Sequence, residues 1–135
     1  METYARNVHL NGPAGKGQHT KMVNQIVLAG NMIGLVEGLL YASKTGLDPM
    51  LTIQTIATGG ASSTALINLG PRMVNRNFDP GFYVEHFIKD LEIALEECSA
   101  ADLCLPNLAL VKQFYVALKA QGGGRLGSQA LVQVL

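Results

Sequence analysis

Residues 18–45 read QHTKMVNQIVLAGNMIGLVEGLLYASKT. Within them Met22, Val23, Ile26, Val27, Ala29, Met32, Ile33, Val36, Leu39 and Leu40 recur at steps of three and four, the period of an α-helix. The apolar positions cover more than one stripe, and the stretch from Ile26 to Val36 carries no charge. A helix apolar nearly all round belongs inside a bundle or at a subunit interface. Gly30, Gly34 and Gly38 fall every four residues along it. Each destabilises a helix interior by about 1 kcal/mol against alanine, so another backbone is expected to pack closely there. Gly46 is placed to stop the helix.

Downstream, Asp48-Pro49 reads as an N-cap followed by proline at the first helical position, opening a short helix that ends near Gly59-Gly60. Ser62-Ser63 starts another, expected to break around Gly70-Pro71 and finish near Val74. Residues 75–81 are rich in turn formers. Val84, Phe87, Ile88, Leu91, Ala94, Leu95 and Cys98 mark a second long amphipathic helix. Leu105-Pro106-Asn107 opens a third, with Leu108, Val111, Phe114, Tyr115 and Leu118 on one face. Gly122-Gly123-Gly124 reads as a flexible joint, and Ser128 as the cap of a last short helix. The only strand-like piece is Asn7-Val8-His9-Leu10, too short to form a sheet alone. The predicted class is all-α, a bundle around one long central helix.

A chain of 135 residues supports one core. Ten basic and ten acidic residues give no net charge, and so no electrostatic reason to bind nucleic acid or an anionic membrane. Charged residues make up 15% of the chain, against roughly 25% in typical soluble domains. With 48% hydrophobic residues, disorder is excluded and a partner surface is expected. Cys98 and Cys104 make no disulfide framework, which fits a reducing cytoplasm. His9, His19 and His86 are scattered, so no metal site is expected. No signal pattern opens the chain, and no run approaches about 18 uninterrupted apolar residues, so no membrane span is expected.

The run Gly12-Pro13-Ala14-Gly15-Lys16-Gly17 is followed by Gln18-His19 where a phosphate loop needs Lys-Ser/Thr. Thr20 stands where the dinucleotide fingerprint needs its third glycine. Taken alone, it is a glycine-rich lead into a helix. Lys21, Asn24 and Gln25, at i, i+3 and i+4, share one helical face directly after it. That face reads either as an ordinary solvated helix end or as a partly desolvated ammonium beside amides, the way a proton donor near neutral pH is built.

The pattern Gly12-x-x-Gly15-x-Gly17-x-x-x-Lys21-x-x-Asn24-Gln25, opening a long apolar helix, resembles the start of the helical C-terminal domain of the β-hydroxyacid dehydrogenases. That family includes 3-hydroxyisobutyrate dehydrogenase, tartronate semialdehyde reductase and the glyoxylate/succinic semialdehyde reductases. Phe82 and Phe87-Ile88-Lys89-Asp90-Leu91 are similar to the family's Lys-Asp-Leu helix with its preceding aromatic residue. The resemblance implies a fold like the C-terminal domain of 6-phosphogluconate dehydrogenase over residues 13–135. It makes residues 1–12 the remnant of a strand and linker from a Rossmann domain.

Lys21 would be the catalytic general acid/base. Asn24 and Gln25 would orient it and bind substrate, Gly15 and Gly17 would shape the loop beneath, and Phe82 would wall the pocket. Lys89 and Asp90 would lie at the cofactor-facing rim. The implied cofactor is NAD or NADP, bound mainly by the Rossmann domain. The implied partners are that domain, a small hydroxyacid or semialdehyde, and further copies of the chain, at least as a dimer. These 135 residues alone are expected to be inactive. Many members have asparagine where Gln25 stands, so glutamine leans toward the semialdehyde reductase branches. A non-catalytic helical oligomerisation module accounts equally well for the glycine-lined helix and low charge. From the residues alone, Phe82 and Phe87 read more often as core than as pocket, Lys89-Asp90 as an exposed pair on solvated surface, and Glu92, Glu96 and Glu97 as solvent face.

Overall fold

In the computed structural model, which describes residues 9–135, the apolar segment is one uninterrupted helix, α1 (Lys16–Lys44). It ends where Gly46 takes φ +81°, letting Leu47 N–H donate back to the Ala42 carbonyl at 2.9 Å. Four more helices follow: α2 (Pro49–Ile56), α3 (Thr64–Val74), α4 (Val84–Ala100) and α5 (Pro106–Ala120). Two 3₁₀ segments, Gly123–Arg125 and Ser128–Gln133, complete the chain. The all-α class holds, with no strand among the described residues. The expected strand at Asn7-Val8 lies outside them, and His9 and Leu10 are irregular.

Side-chain caps explain where the short helices begin. The Asp48 carboxylate accepts from Leu51 N–H at 2.8 Å and the Ser63 hydroxyl from Leu66 N–H at 3.0 Å. The core forms because α1 packs against α2, α3, α4, α5 and the last 3₁₀ segment. Ala29, Met32, Val36, Phe87, Leu91, Val111 and Tyr115 are all buried within it. By length and composition α1 is also apolar enough to cross a membrane, but here its buried face is the centre of the bundle.

Four expectations are corrected. First, α3 runs straight through Gly70-Pro71. Pro71 leaves only the Ile67 carbonyl without its helical donor, and Ile67 lies on the exposed side. Gly70 is buried, and a Cβ there would come within 3.0 Å of Ile53 Cδ1. Second, Gly122–Gly124 is no flexible joint: Gly123 and Gly124 are buried in a 3₁₀ turn against the end of α5. Third, Ser128 makes no side-chain cap. Its N–H donates to the Phe82 carbonyl at 2.9 Å, and the preceding Gly127 leads into the segment.

The fourth concerns the glycines of α1. Among the described residues no backbone packs on Gly34 or Gly38, and Gly30 meets only the Asn107 side chain. They line an open groove of about 410 Å³ with Leu39, Ile53, Ile56 and Leu66.

Candidate active site

Gly15 caps the start of α1 at φ +91°, a conformation that L side chains rarely adopt. Two turns on, Lys21, Asn24 and Gln25 share a face, and α4 brings Asp90 against it. The Lys21 ammonium donates to Asp90 Oδ1 at 3.4 Å. Gln25 Nε2 donates to Asp90 Oδ2 at 2.7 Å, and Asn24 Nδ2 donates to Gln25 Oε1 at 3.0 Å. Asp90 and Gln25 are buried, while the Lys21 side chain remains 61% exposed. The lysine is therefore tethered by a buried carboxylate rather than desolvated, because little else among the described residues covers the first turns of α1. The amides do not touch the lysine; they reach it through Asp90.

A cleft of about 420 Å³ opens beside this group, lined by Gly15, Gly17, Gln18, His19, Lys21, Met22, Asp90, Ile93 and Glu97. A Cβ at Gly17 would meet nothing within 4 Å, so this glycine borders open space. Phe82 is not in this lining. It is half-buried, with its ring 5.5 Å from that of Phe87. Lys89 is exposed and also outside the cleft, because neighbouring helical residues point about 100° apart. Ile93 and Glu97, missed by sequence reasoning, are readable in hindsight at i+3 and i+7 from Asp90. The α1–α2–α3 groove carries no ionisable side chain, whereas the Lys21 cleft carries His19, Lys21, Asp90 and Glu97.

A family model described as NAD-binding of NADP-dependent 3-hydroxyisobutyrate dehydrogenase matches residues 15–135. The chain belongs to this family. A probable 3-hydroxyisobutyrate dehydrogenase-like protein from Arabidopsis thaliana is 52% identical over 128 residues, covering 95% of this chain and 38% of the relative. The 2-hydroxy-3-oxopropionate reductase of Escherichia coli is 42% identical over 135 residues, all of this chain and 46% of the relative. Among solved structures, Mycobacterium tuberculosis 3-hydroxyisobutyrate dehydrogenase with L-serine superposes with TM-score 0.88 at 26% identity, over 98% of this chain and 47% of that one. The chain thus spans less than half the length of these 3-hydroxyisobutyrate dehydrogenase-type relatives.

Proposed function

We propose that residues 13–135 form the catalytic and oligomerisation domain of an NAD(P)-dependent β-hydroxyacid dehydrogenase. In this reading residues 1–12 lead in from a Rossmann domain. The substrate is a small semialdehyde or 2-oxoacid, such as tartronate semialdehyde, glyoxylate or the aldehyde related to 3-hydroxyisobutyrate. The observation that carries the reading is the Lys21 ammonium, 3.4 Å from Asp90 Oδ1 and open to a cleft bordered by Gly15 and Gly17.

A nicotinamide, when bound, supplies the hydride that reaches the carbonyl carbon. Lys21 donates a proton to the carbonyl oxygen as negative charge develops there, and in the reverse direction takes it from the hydroxyl. Asp90 holds the ammonium in place between turnovers. Gly15 and Gly17 give a flat group close access to the backbone, which fits the edge of a nicotinamide ring. Their run lacks the residues of a phosphate loop, so the remainder of the cofactor belongs to the Rossmann half. That half also covers the exposed face of Lys21 and excludes water from it. Exposed Val23, Val27 and Leu110 support self-association into at least a dimer. Two unpaired cysteines among the described residues support a reducing, cytoplasmic setting.

The test assembles the chain with its nucleotide-binding half and follows NAD(P)H oxidation with glyoxylate and tartronate semialdehyde. Lys21→Ala is expected to lower kcat by about 10²–10⁴-fold, the usual contribution of a positioned acid/base group, while thermal melting of the chain is unchanged. Undiminished turnover in that variant removes Lys21 from the chemistry.

A further inference from the structure

Glu97 lines the same cleft as Lys21, two turns beyond Asp90 on α4 and about 10 Å from it along the helix axis. The lining runs from Lys21 back to Gly15 on α1 and from Asp90 on to Glu97 on α4, so this carboxylate lies toward the glycine end. Asp90, Glu92 and Glu85 are paired with Lys21, Lys112 and Arg125. Glu97 has no ion pair among the described residues. Its place also runs against its own helix. It stands in the last turn of α4, which has no basic residue, so the carboxylate meets the negative end of the macrodipole. A charge that opposes the local rule, unpaired and bordering a cleft, has the marks of a binding group rather than a stabilising one. An ionised carboxylate only accepts hydrogen bonds, so the group it receives carries donors and no negative charge. That excludes a substrate carboxylate and a phosphate at this end. At about 420 Å³ the cleft falls within the roughly 300–1,000 Å³ of small-molecule and cofactor sites, more than glyoxylate alone would fill. A ribose presents neighbouring hydroxyls, and carboxylates are the usual acceptors for them in dinucleotide sites.

We propose that Glu97 is a cofactor-binding residue: its carboxylate accepts hydrogen bonds from the hydroxyls of the ribose that carries the nicotinamide ring, with the ring edge against Gly15 and Gly17. This rests on the reading of the chain as part of an NAD(P)-dependent enzyme. It gives the helical domain its own hold on the cofactor, at a residue whose sequence context reads as solvent face.

The test uses the enzyme assembled with its nucleotide-binding half, and the first readout is equilibrium binding of NADH and NADPH by calorimetry. Glu97→Leu is expected to raise Kd for the preferred cofactor about 10-fold, the lower end of what hydrogen bonds to a charged group contribute. Glu97→Gln, which keeps one acceptor oxygen, is expected to lose less. KM for glyoxylate should stay at its wild-type value. In the 135-residue chain both variants should melt at or above the wild-type temperature, since each removes a charge from the negative end of α4. The weakened binding should persist with the 3-acetylpyridine analogue of the cofactor, which has the ribose but no carboxamide N–H. A loss that vanishes with the analogue moves the contact to the carboxamide and overturns the ribose assignment. Unchanged Kd in Glu97→Leu beside an inactive Lys21→Ala overturns the contact and leaves the dehydrogenase reading standing. A wild-type enzyme that binds neither cofactor removes the reading and the inference with it. A lowered melting temperature, in the chain or in the assembled protein without cofactor, assigns Glu97 to packing or to the contact between the halves and overturns the proposal.

Discussion

Phe87 and Asp90 lie one turn apart on α4, yet they serve opposite kinds of surroundings. The Phe87 ring is fully buried, edge-on to Tyr115 with centroids 4.9 Å apart. Asp90 faces a row of polar side chains that ends in an exposed ammonium. The first neighbourhood is held by the area it removes from water. The second buries a charge and an amide, and is tolerable because, among the described residues, every buried side-chain nitrogen and oxygen has a hydrogen-bond partner. One helix thus carries a region that holds the fold and a region that holds a proton donor, and substitutions should separate them.

The largest separation is expected between Lys21→Ala and Phe87→Ala. The lysine variant should lose turnover and keep its melting temperature. Phe87→Ala should destabilise the chain by about 3–5 kcal/mol, as expected for emptying a buried aromatic site. That corresponds to a fall of roughly 10–20 °C in a domain of this size, measured by thermal melting of the 135-residue chain. Equal stability of both variants would mean that the aromatic cluster does not hold α4 to α5.

A smaller effect probes the rim of the dry region. A Cβ at Gly123 would approach Leu118 Cδ1 at 2.7 Å and the Leu118 carbonyl oxygen at 3.0 Å. The side-chain end can yield, but the backbone oxygen cannot. Gly123→Ala is expected to cost about 1–3 kcal/mol by overpacking, read from the urea midpoint at unchanged slope. A neutral or stabilising result would return Gly122–Gly124 to the status of a flexible joint.

The helices were legible because local rules agree with the packing. The three-and-four spacing of α1, the Asp48 and Ser63 caps and Pro106 at the first turn of α5 all coincide with observed elements. What escaped depends on neighbours distant in the chain. Gly70-Pro71 looks like a break until α2 is packed on Gly70, and Gly122–Gly124 looks loose until the Leu118 side chain fills the space beside it. Gly34 and Gly38 predict a close neighbour and instead border a groove, since spacing says where a backbone could approach and not whether one does.

In the site, Lys21, Asn24 and Gln25 share a face by helical geometry alone, but the bonds of Gln25 and Lys21 to Asp90 cross 65 and 69 residues. One signal for the inward turn of Asp90 was present. It lies at i+3 from Phe87 and i−4 from Ala94, a charged residue on the core face of α4. Reading it as a pair with Lys89 concealed that.

Tyr115 supplies the finest test of the division, because it places a polar atom inside the dry region. Its hydroxyl donates to the Ser128 carbonyl at 3.0 Å, and burial pushes the phenol well above its ordinary value near 10. The folded chain therefore keeps this proton where the unfolded chain has begun to lose it. The associated stability is complete below about pH 10 and is lost as pH rises further. At neutral pH, Tyr115→Phe should cost about 1 kcal/mol, since it leaves the Ser128 carbonyl without this donor. Above about pH 10 the wild type alone pays to keep a phenol neutral, so the two melting temperatures should converge as pH rises. Thermal melts of both chains from neutral pH upward measure the gap. A gap constant with pH would mean that the phenol ionises as freely in the folded chain as in the unfolded one. Water would then reach the aromatic cluster, and the contrast between the two faces of α4 would be one of composition rather than of solvent access.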